Sequence, residues 1–337
     1  MKKITLLLMF AAAFAVSCTK EIEFKGDETA SRLVLYSLAT PGEPLAADLS
    51  CSVFFLKKNY DNKLFTSPLD TLRGTVKVYV NGAQTPYVMS YSPNSLSDDD
   101  DYYYYFSPGT LRYVSDYVPA EGDRIRIVAE FPGFETVEGE TFVPHSGNFS
   151  IVSSRMNRTD AGTVNFDVTV RISDNGSYSK YYAILPVRYF SLDDGETYEE
   201  ERNFDISSND PIFRSTTSDL LSVLENDGVE TSNYFSDALF RGETYDFKFN
   251  FNAGYEYQYD DYNYSGDDTP NITILYRYAL IFNTLTESLY NHVLSMNNVS
   301  YSDYGFFGES STLYSNVKGG YGCVCSSVSL SLPLNNQ

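Results

Sequence analysis

The chain has no tryptophan, only two histidines and only four cysteines among its 337 residues, and 24 basic side chains stand against 45 acidic ones. Each shortage removes a class of function. With His145 and His292 alone, a histidine acid–base centre or a multi-histidine metal site lacks its parts. A formal charge of −21 argues against nucleic acid as a partner, since phosphates call for a basic face. It argues equally against electrostatic attachment to anionic lipid. No apolar run reaches the ~20 residues of a membrane-spanning helix. Gly-x-Ser-x-Gly is missing, as is a phosphate loop: Lys318-Gly319-Gly320-Tyr321-Gly322 has glycines but neither the Lys-Ser/Thr ending nor a following helix.

The N-terminus is laid out as a secretory leader. Lys2 and Lys3 precede an apolar run from Ile4 to Phe14, then the small residues Ala15 and Ser17, then Cys18. Ala15-Val16-Ser17-Cys18 resembles a bacterial lipobox, in which a small residue fits the peptidase beside the cut and the Cys thiol takes a diacylglyceryl group. The reading is cleavage after residue 17, with Cys18 lipidated. The two lysines leave with the leader, taking the charge from −21 to −23. Each buried lipid methylene contributes ~0.8 kcal/mol, so two or three acyl chains anchor the body to a membrane. With Cys18 acylated, Cys51, Cys323 and Cys325 remain, an odd number that leaves at least one unpaired. Cys323 and Cys325 are two apart in strand-like sequence and share a face; a bridge from Cys51 to either stays unassigned, and buried thiols are the preferred reading.

Residues 18–30 are polar and charged, a tether between lipid and body. From Arg32 onward the pattern is β. Val76, Val78 and Val80 alternate into Asn81-Gly82, a strong hairpin signal. Arg124 to Ala129 alternates, Phe131-Pro132-Gly133-Phe134 turns, and the next strand closes at Pro144. Short strands and turns at this spacing predict an immunoglobulin- or transthyretin-like antiparallel sandwich over residues 31–145. His145-Ser146-Gly147-Asn148 reads as the boundary, and 146–337 as a second β-rich domain. Val164, Phe166, Val168 and Val170 alternate there, as do Tyr245, Phe247, Phe249 and Phe251; Leu192 to Asn209 reads as a polar surface excursion. Helices are predicted near 218–227 and 285–297, the second opened by a capping box, Thr284-x-x-Glu287, with His292 on or beside its apolar face as a packing residue.

Several segments in order resemble one family of Bacteroidetes lipoproteins known as a domain of unknown function. They are the lipidated Cys before Lys20-Glu21-Ile22-Glu23, Arg32-Leu33-Val34-Leu35, Phe131-Pro132-Gly133-Phe134, Thr141-Phe142-Val143-Pro144, Asn209-Asp210-Pro211, Phe235 through Gly242, and Tyr314 through Gly322. The resemblance implies an outer-membrane lipoprotein, often encoded beside a TonB-dependent receptor and accessory to nutrient capture. It implies no catalytic residues.

Thirty tyrosines and 23 phenylalanines suit pleated, half-buried surfaces, and most of them are expected in sheet cores and cross-strand pairs. One cluster stands apart. Tyr255, Tyr257, Tyr259, Asp260, Asp261, Tyr262 and Tyr264 form an acidic-aromatic loop whose rings can stack on sugar or peptide faces while the carboxylates accept hydroxyl hydrogen bonds. The plainer reading is a solvated hairpin loop. Asp98 to Asp101, and Asp260 and Asp261 with Asp267 and Asp268, have the oxygen chemistry for Ca²⁺, but Asp261-x-Asn263-x-Ser265-Gly266 places Ile272 where a bidentate Glu belongs. No metal site, cofactor or catalytic residue is assigned. The expected function is a lipid-anchored cell-envelope binding protein of the outer membrane, holding a glycan or peptide beside a TonB-dependent transporter. A fimbrial or adhesive surface lipoprotein is the alternative, and a secreted hydrolase a weaker third.

Overall fold

A computed structural model describes residues 30–52, 74–92, 110–159, 162–192, 197–200, 204–213, 233–256, 274–302 and 313–334. Outside the described residues lie the leader, Cys18, the tether, Asp98 to Asp101, the helix expected at 218–227, Asp267 and Asp268.

The first half carries β1 (Leu33–Ala39), β2 (Ala46–Cys51), β3 (Thr75–Val80), β4 (Tyr87–Val88), β5 (Ser90–Tyr91), β6 (Leu111–Val114), β7 (Arg124–Glu130) and β8 (Val137–Phe142). The second carries β9 (Asn148–Arg158), β10 (Thr163–Ser173), β11 (Tyr181–Leu192), β12 (Thr197–Glu200), β13 (Ile206–Ser207), β14 (Tyr234–Ser236), β15 (Thr244–Tyr255), β16 (Ile274–Leu285), α1 (Glu287–Ser302) and β17 (Tyr321–Leu334). The protein is mainly β, as its alternation predicts, with one α-helix among the described residues.

Nine strands make one long sheet in the order β12-β11-β16-β17-β1-β2-β6-β5, with β14 also on β11. Two four-stranded sheets, β4-β3-β7-β8 and β13-β15-β10-β9, accompany it among the described residues. Sandwich packing follows from the alternation. Leu33, Leu35, Val76, Val78, Ile125 and Ile127 are buried in one core, and Phe166, Val168, Phe247, Phe249, Tyr278 and Phe282 in another. The Asn81-Gly82 signal holds: both residues have positive φ, 51° and 73°, and Ala83 N–H donates to Val80 O at 2.9 Å.

β17 joins the two halves. It pairs antiparallel with β16 and parallel with β1, from Val34↔Tyr321 to Ala39↔Ser326. Among the described residues this parallel pair is the one departure from the antiparallel expectation. Alternate residues of a strand share a face. On β17, Val324 and Val328 enter the core with β1 and β7, while Leu330, Leu332 and Leu334 join the core with β10 and β16. One strand therefore supplies both cores, and the Lys318–Gly322 glycines explain how. A Cβ on Gly320 would lie 2.2 Å from Leu33 O, and one on Gly322, at φ +117°, 2.0 Å from Leu35 O. The glycines let β17 approach β1 as no larger residue could. Asn316 finishes the junction: its Oδ1 accepts from Val324 N at 2.9 Å and its Nδ2 donates to Val324 O at 2.7 Å.

Two local expectations are corrected. Thr284 does not cap the helix: it sits buried in β16, where its hydroxyl accepts Gly147 N–H at 2.9 Å. The helix opens two residues later, at Thr286, whose carbonyl accepts Tyr290 N–H and whose hydroxyl accepts Ser326 N–H. Nor is Leu192 to Asn209 wholly a surface excursion, because Phe204 and Ile206 are buried in the second core. His292 does pack, against the Tyr36 ring at 5.5 Å, and its Nδ1–H donates to Tyr314 O at 2.8 Å. Cys51, Cys323 and Cys325 form no disulfide among the described residues.

Candidate functional site

Of the predicted ligand-binding residues, Tyr255 is described; Tyr257, Tyr259, Asp260, Asp261, Tyr262 and Tyr264 lie outside the described residues. Tyr255 ends β15 with its side chain exposed. A member of the same loop that was not among the candidate ligand-binding residues fixes the place where that segment begins. Glu256 accepts the Tyr278 hydroxyl at 2.9 Å on one carboxylate oxygen and the Arg158 guanidinium at 2.7 Å on the other. Burial, then the Glu256 carboxylate, raises the Tyr278 phenol well above its ordinary range, so the hydroxyl stays a donor. Behind them Arg188, fully buried, donates through Nη1 to Ala253 O at 3.0 Å and to Tyr255 O at 2.9 Å. Its guanidinium lies 5.4 Å from the Tyr276 ring centroid and 5.8 Å from that of Phe204, a cation–π setting that an apolar core can hold. The only sequence signal for Arg188 is a cation inside an otherwise apolar strand.

A second feature lies along the same strand. The outer face of β13-β15-β10-β9 forms a groove of about 750 Å³. Alternation that buries Phe247, Phe249 and Phe251 turns Asp246, Lys248 and Asn250 outward. Register then sets Asn250 beside Asp167 and Lys248 beside Thr169. Arg171 holds Asp246 in a bidentate pair, both contacts 2.7 Å, which keeps that carboxyl below the usual carboxylate range. Asn157 donates to Asp167 at 3.0 Å. At the rim, Asp210 accepts the Tyr245 hydroxyl at 3.0 Å and Ile212 N–H at 3.2 Å, and Ser208 donates to Lys248 O at 2.5 Å. Lys248 and Arg155 make no ion pair among the described residues, so the groove offers two free cations beside hydroxyls and an amide. Its carboxylates already accept protein hydrogen bonds. That arrangement suits recognition of a polar ligand better than proton donation to a leaving group.

The model of the family described as "Domain of unknown function (DUF4249)" matches residues 19–331. The chain belongs to DUF4249. The segments that carry the resemblance in this DUF4249 member are now placed. Asn209-Asp210-Pro211 is a groove rim. Phe235 to Gly242 holds a polar junction, in which Asp237 accepts both arms of Arg241 at 3.0 and 3.2 Å and Gly242 N–H donates to Asp174 at 2.6 Å. Tyr314 to Gly322 leads into β17. None of the curated proteins compared matches the chain. Among solved structures, one titled "Crystal structure of bovine butyrophilin" is 10% identical, covering 90% of this chain and 100% of that one, with a TM-score of 0.20. The description of the family names no catalytic activity.

Proposed function

We propose that this DUF4249 member is a lipid-anchored binding protein of the cell envelope, without catalytic activity of its own. It would sit in the outer membrane through acylated Cys18, present the polar groove to a glycan or peptide, and serve a TonB-dependent transporter. The observation that carries this reading is the leader ending in Ala15-Val16-Ser17-Cys18 ahead of a β-rich body whose outward sheet face is a polar groove with two free cations. Gentle detergent extraction of native membranes should co-purify a transporter with the full chain. A glycan and peptide array should show binding that Lys248→Ala and Asn250→Ala weaken at least tenfold. Recovery of the chain alone together with an unresponsive array would sink the reading.

One observation favours a second reading, an adhesive or fimbrial surface protein. β9 has eleven residues and, among the described residues, pairs on one side only, against β10. A free edge of that length is what an incoming strand needs. Chains released from the anchor that stay monomeric at high concentration would argue against it.

A further inference from the structure

Cys323 and Cys325 take no part in either reading. Strand alternation turns both toward α1, while Val324 between them enters the N-terminal core. They are 1% and 5% exposed. The Cys323 thiol donates to Ser288 O, in the first turn of α1, at 3.6 Å. The Cys325 thiol donates to Ser37 O on β1 at 3.4 Å. They are thus a preformed pair, aligned by one strand and covered by one helix.

A disulfide fits this pair poorly. Two residues of strand advance about 6.6 Å, near the outer limit of Cα separation for a disulfide, and the Cβ atoms would have to close to about 4 Å. A metal between the sulfurs needs less distortion, because two metal–thiolate bonds of roughly 2.3 Å span about twice the S–S length. Zinc wants four ligands. Among the described residues no group of three or more His, Cys, Asp or Glu side chains converges, so the pair stands at two. Soft thiolates with low coordination number select a cuprous ion.

We propose that Cys323 and Cys325 form a two-coordinate thiolate site for one Cu(I). Binding forms two S–Cu bonds and releases two protons to solvent, with no change in oxidation state. The complex keeps one negative charge, beside the first turn of the sixteen-residue α1 at Ser288. Entry lies beside Tyr36 and Leu38, the register partners of the two cysteines, which are 37% and 51% exposed. The site is independent of the envelope reading.

The test is an anaerobic titration of the purified full chain with the Cu(I)–bicinchoninate complex. One equivalent should transfer, with a sulfur-only first shell of two ligands by X-ray absorption. Cys323→Ser and Cys325→Ser should each weaken uptake at least tenfold, and Cys51→Ser should leave it unchanged. The apolar variants Cys323→Val and Cys325→Ala, checked for an unchanged circular dichroism spectrum, keep the test valid if serine unfolds the strand. No transfer, equal transfer to the double variant, or a Cys323–Cys325 disulfide in the native protein would overturn the proposal.

Discussion

Replacing Gly322 by alanine probes the contact on which both cores depend. The added Cβ would stand 2.0 Å from Leu35 O, 2.7 Å from its carbonyl carbon and 2.9 Å from its nitrogen. All three are backbone atoms, so relief requires β1 and β17 to move apart. The backbone at φ +117° is open to glycine and strained for alanine, by about 1–3 kcal/mol. Separating the strands weakens the hydrogen bonds around Leu35↔Gly322, at roughly 1 kcal/mol each. It also loosens Leu33, Leu35 and Val324, all buried. The sum is roughly 4 kcal/mol, a large share of the ~5–15 kcal/mol that holds a domain together. At about 2 °C per kcal/mol for a chain of this size, Tm should fall by about 8 °C. Gly133→Ala is the control: its φ is +85° but nothing lies within 4 Å of the new Cβ, so it carries the backbone cost alone, about 1–2 kcal/mol. Thermal melts by circular dichroism, with hydrogen exchange read over residues 33–39, separate the two. Equal shifts for both variants would refute the reasoning.

Asp174 and Lys180 pair at 2.5 Å, both nearly buried. Lys180→Met should therefore cost about 3–5 kcal/mol in urea unfolding, because it strands a buried carboxylate. Burial pushes the Asp174 carboxyl up, but Lys180 and the N–H groups of Gly242 and Gly176 outweigh it and hold it below its ordinary 3.8. Its contribution is therefore present above that value and lost as pH falls through the lower folded value. Urea midpoints should decline below about pH 4 in the native chain. Asp174→Asn should flatten that decline, and an unchanged acid slope would remove Asp174 from the account.

Much of the architecture was legible because alternation is local. Val164 to Ile172 and Tyr245 to Phe251 name their inward faces without knowledge of a partner. What is non-local was hidden. Gly319, Gly320 and Gly322 show in the sequence only as a glycine-rich stretch, because the atoms they must clear, Thr136 O, Leu33 O and Leu35 O, lie nearly two hundred residues or more away in the chain. The parallel pairing of first and last strands leaves no mark on either strand alone. Thr284-x-x-Glu287 matched a capping box, yet the strand ran on to Leu285 and buried the threonine, so tertiary pairing overrode a local motif. The groove was missed for a related reason. Lys248, Thr169, Asp167 and Asn250 each look like ordinary outward residues until register sets them side by side. Phe204 and Ile206 were lost in a stretch whose average is polar, where two large apolar side chains were enough to draw it inward.

The central claim is attachment through Cys18, and mass spectrometry of the N-terminal peptide from membranes addresses it most directly. The account predicts a chain that begins at Cys18, with a diacylglyceryl thioether on its sulfur and a third acyl chain on its amine. A peptide that still carries Met1 to Ser17, or a free Cys18 thiol, would contradict it.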